Sequence, residues 1–516
     1  MSDPSNNPQP DNLRRGAIAA VLAANLIAVA VVFLHGPAVE LGLTAGDTFQ
    51  WMQHAHAAAH QPGLLFVDLD SFYRPSTTWS LVADRTLWGG FEARGFRISS
   101  LILHILAGLV LAVVGRRLGL GSVAATVVAL VWVTSPFTDE SVFIIAQRGQ
   151  PLLLLSWLAL VVAWPRSGES WSGWRAAFAG LAILAAASTK ETWVVTPALV
   201  LALELERHGS LRQAFRPTVL VGIGVAIYVV IYFLAFPSDK TYYELGPHVA
   251  ARIPTQMAAF LSLEEPMPFA LETSFLGVLA LAVVVALAVV CLRWRTPGVW
   301  VALFLLVLPT LPTLPVPFMP QRFLAIPYAG FLLLMAIWFN AVTERLPRWR
   351  WPIRSVACIV VAMVVVAGAA IVRADLDDYR RMAAAHDALL AEAAGVARTV
   401  ASGVTVLVVR DESSQPLLEI LREPRGFAKL PYTRHNDPYG LIDAAALFEW
   451  VIADEGIRVE HVSDWGTACA GEEGEVLIHI DGGFVESGPV ADLAVEAERW
   501  RAEGRRVRVV HAVPLR

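Results

Sequence analysis

The sequence predicts a polytopic α-helical membrane protein with a small α/β domain at its C-terminal end. Of the 516 residues, 56% are hydrophobic and only 16% are charged. The mean hydropathy of +0.55 lies outside the range of ordinary soluble domains. About eleven apolar runs approach the roughly 20 residues that a helix needs to cross a bilayer core. After residue 372, the chain changes to short apolar runs separated by helical patterns.

The first apolar run predicts an uncleaved membrane anchor. It extends from Gly16 to Leu34 and follows Arg14 and Arg15, so residues 1–15 are predicted to form a disordered cytoplasmic segment. The run is longer than the core of an ordinary signal peptide, and the HGP sequence after it lacks a small-x-small cleavage pattern.

Ten further runs complete the predicted membrane domain, residues 16–372. They occupy about 97–114, 118–135, 149–164, 176–189, 192–205, 218–236, 274–292, 299–314, 323–340 and 355–372. Lys190 and Glu191 interrupt the stretch from 176 to 205, which is therefore one long helix or two short ones. Two spans, with a cytoplasmic N-terminus, place the loop arginines on the cytoplasmic side, whereas one span would invert every loop from Arg207 onward.

This topology puts six segments on the outer face. They are 35–96, 136–148, the turn at 190–191, 237–273, 315–322 and 373–516. The last is the predicted extracytoplasmic α/β domain. An amphipathic helical stretch from about Leu376 to Val400 precedes three predicted strands, VTVLVVR, EVLIHID and RVRVVHAV, with helical patterns between them.

Composition also narrows the setting of the protein. The chain has no Gly-rich phosphate loop and no basic tract suited to nucleic acid. Nearly all basic residues are Arg, and no Asn begins an N-x-[ST] acceptor. We therefore predict a multi-pass protein of a bacterial cell membrane, without a nucleic-acid partner.

The predicted outer segments contain a set of charged candidate residues. Asp139, Glu140 and Arg148 lie between two apolar runs, and the other members are Asp47, Arg74, Lys190, Glu191 and Arg322. Charges at membrane depth are costly and usually face partners or a wet cavity. Each one alone is also explained as a solvated loop residue whose side chain reaches water. Together they predict a site for a charged substrate at the membrane surface.

Several motifs resemble those of one enzyme group. SPFTDESVFIIAQRGQPLLLLSWLAL resembles the H-P-x-x-x-E-x-V-x-x-I-x-x-R-x-x-x-L segment of the transmembrane and TPR-containing O-mannosyltransferases. More loosely, it resembles the wider protein O-mannosyltransferase group of GT-C glycosyltransferases. FYRPSTTWSLVADRTLWGGFEARGFRISSLILHIL is similar to their Y-R-P and L-L-H stretch, STKETWVVTPALVLALE to their S-K-E-T segment, and PQRFLAIPYAGFLLL to their late E-R-x-x-Y-x-P motif.

The chain also departs from that pattern. Ser135 replaces the His before Pro136, and Gln321 and Phe323 stand where Glu and Tyr are common. The C-terminal part carries no TPR array.

The resemblance implies a GT-C-like enzyme that transfers a sugar from a polyprenyl phosphate to an acceptor hydroxyl on the outer face, with inversion. The donor sugar is mannose-like or another hexose or pentose, and the acceptor is a protein, glycan or lipid. A lipid phosphate departs without protonation, because its second pKa lies near 6. The reaction therefore needs a base but no general acid.

The same resemblance assigns roles to individual residues. Asp47 is the predicted catalytic base, although its position before a helical pattern also suits a helix cap. Arg322 would bind the lipid phosphate or serve as an interfacial anchor. Arg74 would reach the pyranose or phosphate, or anchor its loop.

The remaining assignments are more open. Asp139 and Glu140 would hold the acceptor, orient the sugar or bind a divalent cation, or would be a solvated loop or helix cap. Arg148 belongs to the predicted substrate site. Lys190 and Glu191 would also bind substrate, or form a salt bridge that stabilises a tight turn. No cofactor other than the divalent cation is suggested.

Two other functions are also compatible with a protein that has many membrane spans. A transporter or flippase for a lipid-linked sugar would more often show repeats and midplane charges, whereas the predicted charges gather at one face. An inactive homologue would use the membrane domain as an anchor for an outer binding domain.

Overall fold

The computed structural model describes residues 10–42, 46–67, 73–89, 93–235, 246–263, 271–315 and 321–399, and five strands beyond them. Its α-helices are α1 (Pro10–His35), α2 (Gly46–His60), α3 (Pro75–Trp88), α4 (Ala93–Arg117), α5 (Ser122–Val133), α6 (Glu140–Phe143), α7 (Gly149–Ala163), α8 (Gly173–Ala187), α9 (Thr196–His208), α10 (Leu211–Ala235), α11 (Pro247–Ser262), α12 (Leu271–Arg293), α13 (Val299–Val307), α14 (Ala325–Arg345) and α15 (Arg350–Thr399). The chain forms two compact units, residues 1–40 with 57–376 and residues 41–56 with 377–516.

The helical unit is built from long apolar helices. Seven described helices are long and apolar enough to cross a membrane, or eight if a bent pair counts as one span. This confirms a polytopic helical membrane protein. The sequence prediction of about eleven spans also counted shorter runs such as α8 and α13, so that number stays a prediction.

The ambiguous stretch from 176 to 205 forms two helices. α8 ends at Ala187, and a 3-10 turn from Glu191 to Val195 precedes α9. The break confirms the two-helix interpretation. The side of the membrane on which each loop lies remains a prediction.

Residues 134–148, which we call the buried turn segment, differ most from expectation. The sequence predicted an outer loop whose charges belong to a substrate site or, taken singly, are solvated. The segment instead folds into short helical turns whose side chains are all buried. The α5 axis bends by 67° where the segment begins. Ser135 accepts a hydrogen bond from the Phe137 N–H, which caps the first turn.

Buried polar groups fix the buried turn segment to its neighbours. The Val133 carbonyl, at the end of α5, lies 3.0 Å from His35 Nε2 and 3.2 Å from His104 Nε2. Arg97 donates to the Phe143 carbonyl at 2.5 Å. These bonds satisfy backbone groups that the bend removes from regular helix hydrogen bonding.

Helices α13 and α14 approach each other very closely. A Cβ atom at Gly330 would lie 2.2 Å from the Leu306 nitrogen and 2.8 Å from the Ala302 carbonyl oxygen. Only glycine fits such backbone contact, a common arrangement between membrane helices. The contact fixes the spacing of the two helices.

The second unit contains one mixed five-stranded sheet in the order β2-β1-β5-β3-β4. The strands are β1 (Val404–Val409), β2 (Arg458–Val462), β3 (Glu475–Ile480), β4 (Gly483–Pro489) and β5 (Val507–Pro514). β1 pairs with β2 in parallel, and the other pairings are antiparallel. The three predicted strands correspond to β1, β3 and β5. The helices predicted between the strands lie outside the described residues, whereas the stretch predicted from Leu376 continues α15 as far as Thr399.

Candidate functional site

A buried ion pair joins two segments that are far apart in the sequence. Arg322 lies in a 3-10 turn just before α14, and Glu140 is the first residue of α6. Arg322 Nη1 donates to Glu140 Oε2 at 2.9 Å, and the two side chains are only 9% and 5% exposed. The interpretation of Glu140 as a solvated loop residue is therefore wrong. Glu140 instead orients the Arg322 guanidinium.

A second ion pair joins α3 to the break between α8 and α9. Arg74 Nε and Nη2 donate to the two carboxylate oxygens of Glu191 at 3.0 and 2.8 Å. Burial raises the pKa of Glu191, but Arg74 opposes this through its charge and hydrogen bonds, and the net pKa is lowered. The predicted alternative of a Lys190–Glu191 salt bridge is wrong, because Glu191 pairs with Arg74. These two parallel hydrogen bonds from the Arg74 guanidinium position the side chain of Glu191.

Lys190 lies near both ion pairs, Arg322–Glu140 and Arg74–Glu191. It is only 6% exposed, and its ammonium lies 5.0 Å from the centre of the Phe323 ring. Burial lowers its pKa well below the usual value, and the charges of Arg74 and Arg322 lower it further, while Glu191 and Glu140 act in the opposite direction. A protonated Lys190 is therefore an excess positive charge in a poorly solvated place.

A fourth cation, Arg252, was missed by the sequence interpretation. It lies on α11, within the stretch predicted to be an outer loop, and donates to the Thr313 carbonyl at 3.0 Å. Its guanidinium is 6.0 Å from the Phe323 ring, and burial lowers its pKa to about 10. The sequence does contain a pattern that could have identified Arg252. The apolar residues MAAF, three turns into α11, indicate a helix with a buried face.

These residues form what we call the cation cluster. Its members are Arg74, Lys190, Arg252 and Arg322, together with the carboxylates Glu140 and Glu191. With Lys190 protonated, the part of the cluster that the structure describes contains four positive and two negative charges. Lys190, Arg252 and Arg322 all lie within 6.0 Å of the Phe323 ring. A buried group with excess positive charge favours an anionic ligand.

Asp139 lies next to the cation cluster but contacts other groups. Its side chain is fully buried, so its interpretation as a solvated loop residue is wrong. With the Gln321 amide oriented so that its nitrogen faces these acceptors, it donates to Asp139 Oδ1 and to the Pro136 carbonyl, each at 3.1 Å. The Asp139 carboxyl also interacts with that of Asp375 on α15. Gln321, a departure from the resembled motif, thus holds the buried turn segment.

The described residues do not reveal a metal site. No three His, Cys, Asp or Glu side chains among them are arranged to hold a metal ion. The divalent cation suggested for Asp139 and Glu140 stays a prediction.

Arg148 forms a different ion pair, with a residue outside the cation cluster. Its Nη1 donates to Asp84 Oδ2 at 2.5 Å, and its Nη2 donates to the Phe96 carbonyl at 3.2 Å. Arg148 is 1% exposed, so its interpretation as a solvated loop residue is also wrong. The sequence interpretation missed Asp84, although Thr77, Leu81 and Asp84 have the spacing of one buried helix face.

Asp47 is the second residue of α2. The prediction that a helix begins there is confirmed, but the Asp47 side chain lies outside the described residues. Another acidic residue in the same part of the sequence, Glu40, is exposed and forms a long 3.7 Å contact with Arg94. The role of Asp47 as a base stays a prediction.

Comparisons with known proteins show likeness at the level of structure. No protein-family model matches the chain, and no curated protein does. ArnT from Cupriavidus metallidurans in the apo state is similar with a TM-score of 0.52 and 13% identity, over 96% of this chain and 98% of that one. A second structure of that ArnT, bound to undecaprenyl phosphate, has a TM-score of 0.49 and 12% identity, over 96% of this chain and 97% of that one.

The third likeness is to a larger protein. The Archaeoglobus fulgidus oligosaccharyltransferase, tethered to an acceptor peptide containing the NVT sequon, is similar with a TM-score of 0.51 and 12% identity over 88% of this chain. The chain spans only 64% of the length of that oligosaccharyltransferase. Together with the apolar helices, the two likenesses with TM-scores of 0.52 and 0.51 show that the chain is a polytopic helical membrane protein with the GT-C fold.

Proposed function

We propose that the chain is a membrane glycosyltransferase that uses a polyprenyl-phosphate-linked sugar. It transfers a mannose-like or other sugar to an acceptor hydroxyl of a protein, glycan or lipid on the outer face, with inversion. The observation that carries the proposal is the cation cluster, which combines excess positive charge with burial. The GT-C fold and the resemblance to the O-mannosyltransferases support it.

The charge of the cation cluster suits the change that the donor undergoes. A sugar linked to a polyprenyl phosphate is a phosphodiester with one negative charge. Loss of the sugar leaves a monoester with about −1.5 to −2 charges at pH 7. Because the negative charge grows as the bond breaks, fixed cations stabilise the transition state more than the bound donor.

The proposed reaction is one displacement. The acceptor oxygen bonds to the anomeric carbon while the bond from that carbon to the phosphate oxygen breaks, and its electron pair goes to the phosphate. Asp47 takes the acceptor proton. Lys190 and Arg322 contact the phosphate, and Arg74 contacts the phosphate or the sugar.

The other acidic and basic residues then have distinct proposed roles. Glu140 and Glu191 orient Arg322 and Arg74, and both reduce the repulsion among the cations. Asp139 orients the acceptor or the sugar. We assign Arg148 to positioning, because its hydrogen bonds hold the buried turn segment against α3 and α4.

Transfer assays test the proposal directly. The purified full-length chain is incubated with radiolabelled sugars on synthetic polyprenyl phosphates and with peptide, glycan and lipid acceptors. We expect labelled acceptor, and we expect Lys190→Gln to reduce its formation strongly. Arg175→Gln is the matched control, since Arg175 lies in another ion pair, 2.5 Å from Glu169.

The alternative functions give different outcomes. A lipid-linked sugar transporter would move labelled donor across a liposome membrane without forming labelled acceptor. An inactive homologue would show neither transfer nor movement. Either result, obtained with folded protein, would contradict the proposed function.

A further inference from the structure

A cavity lies at the opposite end of the helical unit from the cation cluster. Its volume is about 340 Å³, and it lies between the ends of α4, α12 and α14 and the start of α13. This volume is at the lower end of the range for small-molecule sites, roughly 300–1,000 Å³. None of the residues of the cation cluster lines it.

The length of α14 places this cavity at a membrane boundary. The helix begins three residues after Arg322 and has 21 residues up to Arg345, which lines the cavity. At 1.5 Å per residue it covers about 31 Å, close to the thickness of a bilayer core. The cavity and the cation cluster therefore lie at opposite boundaries.

The cavity combines positive and negative groups. Arg345 is stacked on Trp294, with its guanidinium carbon 4.3 Å from the ring, and Arg295 also lines the cavity. The stack holds the guanidinium at the cavity wall. Glu344 lies beside it and accepts a hydrogen bond from Asn340 at 2.9 Å. This leaves the second carboxylate oxygen of Glu344 available to a ligand.

One further group in the cavity wall needs a partner. The Thr296 hydroxyl oxygen is buried and has no hydrogen-bond partner in the described parts of the chain. A buried hydroxyl without a partner is costly. A polar ligand in the cavity would satisfy it.

We propose that this cavity binds the headgroup of a phospholipid with a primary ammonium group, of which phosphatidylethanolamine is the simplest. Arg345 and Arg295 bind the phosphate, and Glu344 binds the ammonium. Basic pockets between membrane helices are common sites for lipid headgroups, and the carboxylate adds the preference for an amine. The proposal does not depend on sugar transfer.

The test compares three lipids on the purified full-length chain by native mass spectrometry. The probes are phosphatidylethanolamine, phosphatidylglycerol and phosphatidylcholine with the same acyl chains, and inorganic phosphate. We expect phosphatidylethanolamine to bind about threefold to fivefold more tightly than the other two lipids, the scale of one partly exposed ion pair. Equal binding of the three lipids, tighter binding of phosphatidylglycerol, or equal binding of inorganic phosphate would overturn the proposal.

Variants separate the two halves of the headgroup. Glu344→Gln keeps the hydrogen bond from Asn340 and should abolish the preference for phosphatidylethanolamine over phosphatidylglycerol. Arg345→Gln should weaken binding of all three lipids about tenfold, the worth of one charge-assisted hydrogen bond. Arg348→Gln, outside the cavity, is the matched control and should change nothing.

If Arg345→Gln fails to fold, a second variant still tests whether the cavity binds the lipid phosphate. Arg295 is exposed and has a positive φ of 53°, a conformation that Asn tolerates. Arg295→Asn should therefore fold and weaken binding in the same way. Unchanged lipid binding in folded Arg295→Asn and Arg345→Gln would contradict the assignment.

Discussion

Replacing Arg322 by Gln should have two separable effects, one on stability and one on donor binding. The change leaves Glu140, which is 5% exposed, as a buried carboxylate without its cation. Removing one partner of a buried ion pair lowers the free energy of unfolding by roughly 3–5 kcal/mol. We therefore expect a clear fall in the unfolding temperature of the purified protein. The double variant Arg322→Gln/Glu140→Gln removes both charges and should recover most of that stability.

Donor binding should not recover in the double variant. A hydrogen bond to a charged group is worth about 1.5–3 kcal/mol, so loss of Arg322 should weaken binding by roughly tenfold to a hundredfold. Calorimetric titration with a short-chain polyprenyl phosphate measures this in both variants. The pair Arg175→Gln/Glu169→Gln is the control and should leave binding unchanged. Wild-type affinity in the folded double variant would refute the phosphate-binding role of Arg322.

Three other predictions address protonation, catalysis and topology. Binding of the same phosphate should weaken as pH rises above the lowered pKa of Lys190, because the anion binds the protonated amine and binding takes up a proton. Lys190→Arg should flatten this dependence up to pH 10.5, the ordinary Lys value. An unchanged pH profile in that variant would contradict the role of Lys190 in binding the phosphate. Asp47→Asn should reduce transfer by about a hundredfold to ten-thousandfold while donor binding barely changes, and NMR of the product should show inversion; near wild-type turnover or retention would exclude Asp47 as the base. Cysteine labelling should place residue 210 on the cytoplasmic side and a C-terminal tag on the outer side, and labelling of both from one side would overturn the predicted topology.

Sequence patterns predicted the parts of the fold that depend on nearby residues. The interruption at Lys190 and Glu191 and the strand β1 follow from local charge and periodicity, and both are present. The Arg322–Glu140 pair joins residues 182 positions apart. No local pattern encodes such a pairing, so the sequence could identify both residues but not their contact.

Burial also could not be inferred from residue type. The sequence of the buried turn segment contains Asp139, Glu140 and Arg148, which typically indicate an exposed loop. Its apolar residues, such as Phe137 and Phe143, pack into the core, and each charged side chain has a polar partner. Arg252 was missed for another reason: its stretch was assigned to an outer loop, so the apolar pattern that follows it was not interpreted as a helix face.

The backbone contact at Gly330 has a consequence for donor selection. α14 begins three residues after Arg322, whereas α13 leads into the turn whose Thr313 carbonyl holds Arg252. Since the two helices touch at Gly330, their contact sets how far apart these two guanidinium groups lie. A larger residue at Gly330 would widen that gap and favour bulkier anions. Under the proposed function, the size of the accepted anion would therefore depend on a residue that has no polar side chain.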